Sequence, residues 1–217
     1  VMGKVAVLDY GMGNLHSVAS ALNQVAPDSE VVLATTPEQA QSAGHLLVPG
    51  VGAIRDCMAG FEAAGFAPLL KEAISAGVPV LGICVGMQIM MRHSEENNGV
   101  DCLDIFSQPV KFFGGDLPEL PQGRHFKIPH MGWNCVQQTC KHPLWQGIVD
   151  RSRFYFVHSY YVPAVDNSEV AGQTEYGIPL AAALARGNIF ATQFHPEKSA
   201  RDGLQLLSNF VNWDGRT

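Results

Sequence analysis

Val78-Pro79-Val80-Leu81-Gly82-Ile83-Cys84-Val85-Gly86-Met87-Gln88 is the stretch that decides the fold. Its first half is almost continuously apolar, as expected of a strand buried on both faces, and such strands imply a parallel sheet covered by helices. Its second half is a Gly-x-Cys-x-Gly turn, after which Met87 to Arg92 predicts a helix. Strand, sharp turn and helix make a nucleophile elbow, here with Cys where many hydrolases carry Ser. The turn is strained and crowded, so the positions two residues before and after the nucleophile must lack side chains. It lifts the sulfur out of the sheet and sets it at a helix N-terminus, whose partial positive charge favours a thiolate. It also offers the Val85 N–H to an oxyanion. A bare GxCxG is as often a buried cysteine packed at a strand end. The flanking strand and helix tip the reading towards chemistry.

The same alternation extends towards the N-terminus. Val5 to Asp9, Val31 to Ala34 and His45 to Val48 read as further strands. Leu15, Val18, Ala19, Leu22 and Val25 recur at helical spacing. Thr36-Pro37-Glu38 starts a second helix, with Thr as N-cap and Pro at the first helical position. Leu69, Leu70, Ala73 and Ile74 mark a third, which Gly77 can stop. The second half differs. Residues 106–136 are rich in Gly, Pro and aromatics and predict hairpins; residues 154–162, 180–185 and 189–194 predict strands. A last helix is expected over 203–213, with Leu207, Phe210 and Val211 facing inward. No repeat, low-complexity tract or linker divides residues 1–217. They are expected to form one α/β domain, a mostly parallel central sheet flanked by helices with an added hairpin region.

A chain of 217 residues buries enough surface to fold without disulfides or metal. Its net charge of −6 gives no reason to expect nucleic acid or an anionic membrane as partner. No apolar run approaches the roughly 20 residues that span a bilayer. The start lacks a signal-peptide layout, and Met2, preceded by Val1, is expected to be the native start. The five cysteines are odd in number and widely spaced, which favours reduced thiols in the cytoplasm over a disulfide framework. Cys135, Cys140 and His142 cluster, but without a second CxxC they make a weak metal site, and neither metal nor cofactor is expected.

Two further segments complete a site. His195-Pro196-Glu197 ends the strand at 189–194, and residues two apart in extended chain point the same way. Glu197 can hold one ring nitrogen of His195 and leave the other to take the Cys84 proton, in the manner of a Cys–His–Glu triad. A lone His at a strand end is more often structural; beside an elbow the functional reading dominates. The other seven histidines have no such context and read as structural. Pro49-Gly50-Val51-Gly52 ends the third strand and can present backbone N–H groups at the carboxyl edge of the sheet, where open α/β sheets bind ligands.

PGVG at 49–52, GICVGMQ at 82–88 and HPE at 195–197, in that order, resemble the class I, or triad, glutamine amidotransferases and their flavodoxin-like fold. Asp9-Tyr10-Gly11-Met12-Gly13-Asn14-Leu15 and Pro129-His130-Met131-Gly132-Trp133-Asn134 look like the branch that forms the glutaminase subunits of imidazole glycerol phosphate synthase, in histidine biosynthesis. The likeness runs from Val5 to Trp213. It implies that Cys84 is the nucleophile, His195 the base and acid, and Glu197 the orienter. Val51, Gly52 and Val85 match the oxyanion region. Gln88 matches a glutamine-contacting position, Glu96 or its neighbour Glu95 the partner of the substrate ammonium, and Ser159 and Tyr160 a backbone that holds the substrate carboxylate. Asn14, Trp133, Tyr155 and Lys198 match a face on which a (β/α)₈-barrel cyclase partner docks. For Trp133 and Tyr155 the plainer alternative is core packing. Val51, where related enzymes carry Gly or Pro, implies an unproductive resting orientation of the Gly50–Val51 peptide. The alternatives are a glutaminase of another pathway, such as pyridoxal phosphate synthesis, a catalytically silent scaffold, and a cysteine peptidase.

Overall fold

The computed structural model describes residues 3–217, so the expectation for Met2 lies outside the described residues. The first half alternates as the sequence predicts. Strand β1 (Lys4–Leu8) leads to helix α1 (Leu15–Val25), β2 (Glu30–Ala34), α2 (Pro37–Ala40) and β3 (His45–Val48). Helices α3 (Ile54–Ala63) and α4 (Phe66–Ser75) follow, then β4 (Val80–Ile83) and the one-turn α5 (Val85–Gln88). Helix α3 escaped the sequence reading, although Ile54, Cys57, Met58 and Phe61 share its buried face at helical spacing. Thr36 caps α2 in extended conformation, but its side chain makes no capping bond and the helix is a single turn.

The second half contains short pairs and one long antiparallel extension. Strands β5 (His93–Ser94) and β6 (Val100–Asp101) pair with each other, and β7 (Lys111–Phe112) pairs with the later β11. The predicted hairpin region contains one substantial strand, β8 (His130–Cys135), followed by β9 (Gln137–Gln138). The expected strand over 154–162 is two: β10 (Arg153–His158) and β11 (Tyr160–Tyr161), broken by a bend at Ser159. Strands β12 (Val170–Glu175), β13 (Pro179–Arg186) and β14 (Ile189–Thr192) precede α6 (Ala200–Val211). Strand β12 was not foreseen.

The main sheet has the order β2-β1-β3-β4-β14-β13-β12-β9. The five strands from β2 to β14 are mutually parallel, and β13, β12 and β9 extend the sheet antiparallel. The parallel part has the doubly wound 2-1-3-4-5 order of flavodoxin-like folds. Leu46 to Val48, Val80 to Ile83 and Ile189 to Thr192 are entirely buried, as continuous apolarity required. This core brings the carboxyl ends of β3, β4 and β14 side by side. Those ends carry PGVG, the elbow and HPE.

Candidate active site

Cys84 sits between β4 and α5 with φ 55° and ψ −115°, a conformation that a β-carbon disfavours. What forces it is the closeness of the elbow to β3. A β-carbon on Gly86 would overlap the Val48 carbonyl oxygen and lie 2.8 Å from its carbon. One on Gly50 would lie 2.6 Å from the Gly86 nitrogen and 2.8 Å from the Tyr10 hydroxyl. Tyr10, from the first glycine-rich segment, donates its hydroxyl to the Pro49 carbonyl and so pins the turn from behind. Burial raises the pKa of Tyr10 well above the usual phenol range, which keeps that donor protonated.

The helix after the elbow is shorter than the predicted Met87 to Arg92. The carbonyls that would continue it are taken by another segment. Leu103 N–H donates to Ile89 at 2.8 Å, Ile105 and Phe106 both donate to Met90 at 2.9 Å, and Asp104 donates to Met91 at 2.9 Å. One turn sums few peptide dipoles, so the helix contributes less to a thiolate than the sequence pattern suggests.

His195 and Glu197 meet as expected: Nδ1 lies 2.6 Å from a Glu197 carboxylate oxygen, with side-chain exposures of 1% and 0%. The Glu197 contact fixes the ring and leaves Nε2, which is buried and makes no hydrogen bond within the protein. Burial alone would make His195 less basic. The interactions with Cys84 and Glu197 outweigh it and carry its pKa up to about 10. The Cys84 sulfur is 3.9 Å from the Val157 carbonyl and 3.8 Å from the Gln193 side-chain nitrogen.

A cavity of about 280 Å³ opens over the sulfur, the small end of the ligand-pocket range and suited to one amino acid. Val51, Gly52, Cys84, Val85, Gln88, Glu96, Ser159, Tyr160 and His195 all line it. Glu197 does not; it stands behind His195. Of the two candidate acids, Glu96 reaches the cavity, whereas Glu95 accepts the Phe112 N–H at 3.0 Å. Burial raises the pKa of Glu96, a bias that an incoming ammonium would oppose. Val157 and His158 also line the wall.

The Val85 N–H does not face the cavity freely. It donates to the Gly50 carbonyl at 3.1 Å. The turn thus lays a carbonyl where an oxyanion donor is expected.

The expected docking residues are not core. Trp133 is 46% exposed, Lys198 is exposed, and Tyr155 and Asn14 are half-buried. Trp133 and Tyr155 are directly paired across β8 and β10, with ring centroids 6.2 Å apart. Ile128 and Met131 are also exposed on this stretch. The Tyr155 carbonyl accepts the His195 N–H at 3.0 Å, and Lys198 lies one residue past Glu197. Among the described residues no group of three or more metal-ligating side chains converges, and Cys135 and Cys140 are free and exposed. No helix of the described residues is long and apolar enough to cross a membrane.

An elbow thiol and a buried histidine that share one amino-acid-sized cavity are an arrangement suited to acyl transfer through a thioester. The chain belongs to the family described as glutamine amidotransferase class-I, whose model matches residues 6–213. It is accordingly a glutamine amidotransferase, which takes ammonia from the side chain of glutamine. Its similar curated relatives include the imidazole glycerol phosphate synthase subunit HisH of Pseudomonas putida, 56% identical over 99% of this chain and 100% of the relative. Imidazole glycerol phosphate synthase subunit HisH 1 of Pseudomonas aeruginosa is 55% identical, with full coverage of both. The fold also matches solved structures at low identity. PurLQS from Thermotoga maritima aligns with a TM-score of 0.72 at 16% identity, covering 98% of this chain and 99% of that one. The glutaminase domain of Trypanosoma brucei CTPS aligns with a TM-score of 0.64 at 18% identity, covering 97% and 94%.

Proposed function

We propose that this chain is the glutaminase of an imidazole glycerol phosphate synthase, that Cys84, His195 and Glu197 perform the hydrolysis, and that the ammonia passes to a (β/α)₈-barrel cyclase partner. The observation that carries the chemical part is the buried His195–Glu197 pair at 2.6 Å, whose histidine shares one cavity with the elbow cysteine. The pathway rests on relatives at 55–56% identity along the whole chain.

Cys84 passes its proton to His195, and the thiolate attacks the side-chain amide carbon of glutamine. The tetrahedral intermediate carries its charge on oxygen. Collapse breaks the C–N bond while His195 returns the proton to nitrogen, so ammonia leaves and a thioester remains. Water, deprotonated by His195, then attacks the thioester and releases glutamate and the thiol. Glu197 holds the ring so that one nitrogen faces the reaction throughout. Glu96 suits the substrate ammonium, and the Ser159–Tyr160 backbone suits its carboxylate. Delivery through a barrel keeps the ammonia from neutral water, where protonation would remove its nucleophilicity.

The bond from Val85 N–H to the Gly50 carbonyl supports a resting state in which neither the Val85 nor the Val51 N–H serves an oxyanion. Turning the Gly50–Val51 peptide frees Val85 and brings a second N–H to the cavity. A partner docked on the Trp133, Tyr155, Lys198 and Asn14 face would drive that turn by binding the turned state more tightly. The test is glutamate release by the purified chain and by Cys84→Ala, with and without the cyclase partner. Hydrolysis that survives in Cys84→Ala would sink the proposal.

A further inference from the structure

We infer that Gln193 is the hydrogen-bond donor that holds the Cys84 sulfur as a thiolate, oriented by a chain of bonds that starts at the Tyr160 carbonyl. The inference rests on Cys84 being the nucleophile. Gln193 directly follows β14 and precedes the HPE segment by one residue. Its side chain is completely buried, so its amide must find partners at both ends. Which end is nitrogen follows from the network.

A backbone carbonyl only accepts. The Tyr160 carbonyl lies 3.2 Å from the Gln88 side-chain nitrogen and 2.8 Å from His158 Nδ1. Gln88 therefore turns its NH₂ towards Tyr160, and the second hydrogen of that NH₂ reaches Gln193 Oε1 at 3.0 Å. With its oxygen so engaged, Gln193 aims its nitrogen at Cys84 Sγ, 3.8 Å away. The same carbonyl sets the tautomers behind it. His158 carries its proton on Nδ1, so Nε2 accepts from His130 Nδ1 at 2.9 Å, and His130 Nε2 accepts from Asn134 Nδ2 at 3.3 Å. Every donor in this chain meets an acceptor, from the β8 edge to the nucleophile. Burial holds His130 and His158 neutral, with pKa values of about 4 and about 3, so the pattern persists across the neutral range.

Besides His195, the sulfur has two polar neighbours of opposite preference. The Val157 carbonyl accepts a bond from a thiol and repels a thiolate; the Gln193 N–H favours the thiolate. The ionisable groups that sense Cys84 are Tyr10, Cys57 and His195. Burial keeps the first two protonated, which leaves His195 as the charged partner and Gln193 as the neutral one.

The test is the pH dependence of iodoacetamide alkylation of the full chain. Peptide mass mapping separates Cys84 from the exposed Cys135, which serves as an internal control. Gln193→Met keeps the length and removes the donor. Gln193→Glu keeps an acceptor for Gln88 and turns an oxygen on the sulfur. Loss of one charge-assisted bond to the sulfur should raise the Cys84 midpoint by about one to two pH units in both variants, with Cys135 unchanged. A second readout needs no substitution: the Gln193 side-chain amide proton resonance should move with pH at the wild-type Cys84 midpoint. An unmoved midpoint in a folded variant, or an amide signal indifferent to that ionisation, overturns the inference and leaves Cys84 as nucleophile. A wild-type Cys84 no more reactive than Cys135 overturns both.

Discussion

Replacing Gly86 with alanine tests whether the crowding of β3 against the elbow is what holds Cys84 in place. The added β-carbon would overlap the Val48 carbonyl oxygen, with the Val48 carbon at 2.8 Å and the Pro49 oxygen at 3.0 Å. All three atoms are backbone of a buried strand end and its turn, so no flexible side chain can yield. Ordinary carbon contacts lie at about 3.5–4.0 Å, and relief therefore requires β3 and the elbow to separate by on the order of 1 Å. Overpacking a well-filled core costs about 1–3 kcal/mol, and a rigid backbone neighbour places this variant at or above the top of that range. The same separation moves the nucleophile, and a 1 Å misplacement costs about 10²-fold in rate. Gly44→Ala is the control: Gly44 is exposed, and its nearest neighbour to a β-carbon is at 3.8 Å. Urea melts and steady-state glutaminase assays with the cyclase partner would compare the two. Gly86→Ala should melt at clearly lower urea and lose about two orders of magnitude in turnover, with Gly44→Ala near wild type. A Gly86→Ala protein with wild-type melting and turnover would refute the crowding argument.

Glu197→Gln should damage turnover less than His195→Ala, because an amide can still orient the ring whereas losing the ring removes both proton transfers; glutamate release by the two assembled complexes gives the ranking. The chain alone should hydrolyse glutamine slowly, and the cyclase with its nucleotide intermediate should raise the rate by about 10²–10³ for each oxyanion donor gained; equal rates alone and in complex would leave the Val85–Gly50 bond without regulatory meaning. Acid should destabilise the fold well before carboxylates titrate. His130, His142 and His158 are held below their usual pKa by burial, to about 4, about 4 and about 3, so the unfolded chain takes up protons first and stability falls as pH drops from about 6.5 towards those values. His195, raised to about 10, works in the opposite sense, stabilising most below about 6.5, but it is one group against four, since burial lowers His45 as well. Urea midpoints at pH 7.5 and pH 5 should therefore differ, with the lower one at pH 5.

The parts of the site that local pattern specifies were legible in the sequence. Continuous apolar runs marked β3, β4 and β14, and glycine spacing marked the turns that follow the first two. Once those strands are adjacent and parallel, Cys84, His195 and PGVG must share one edge. What could not be read depends on contacts between distant segments. Helix α5 stops after one turn because residues 103–106 take the carbonyls of Ile89, Met90 and Met91. The strand at 154–162 breaks at Ser159, which leaves the Tyr160 carbonyl to be shared by Gln88 and His158. Gln193 looked like one more residue of a strand. Its partners lie 105 and 109 positions away, and no local spacing announces them. His130 appeared within a motif, but its bond to His158 depends on the pairing of β8 with β10.

Cleavage of glutamine through Cys84 requires a thioester on that residue. The most direct measurement is mass spectrometry of the acid-quenched complex during glutamine turnover, with peptides mapped. A γ-glutamyl adduct is expected on the peptide carrying Cys84, on none of the peptides carrying Cys57, Cys102, Cys135 or Cys140, and on no peptide of Cys84→Ala. An adduct on another cysteine, or undiminished ammonia release by Cys84→Ala, would contradict it.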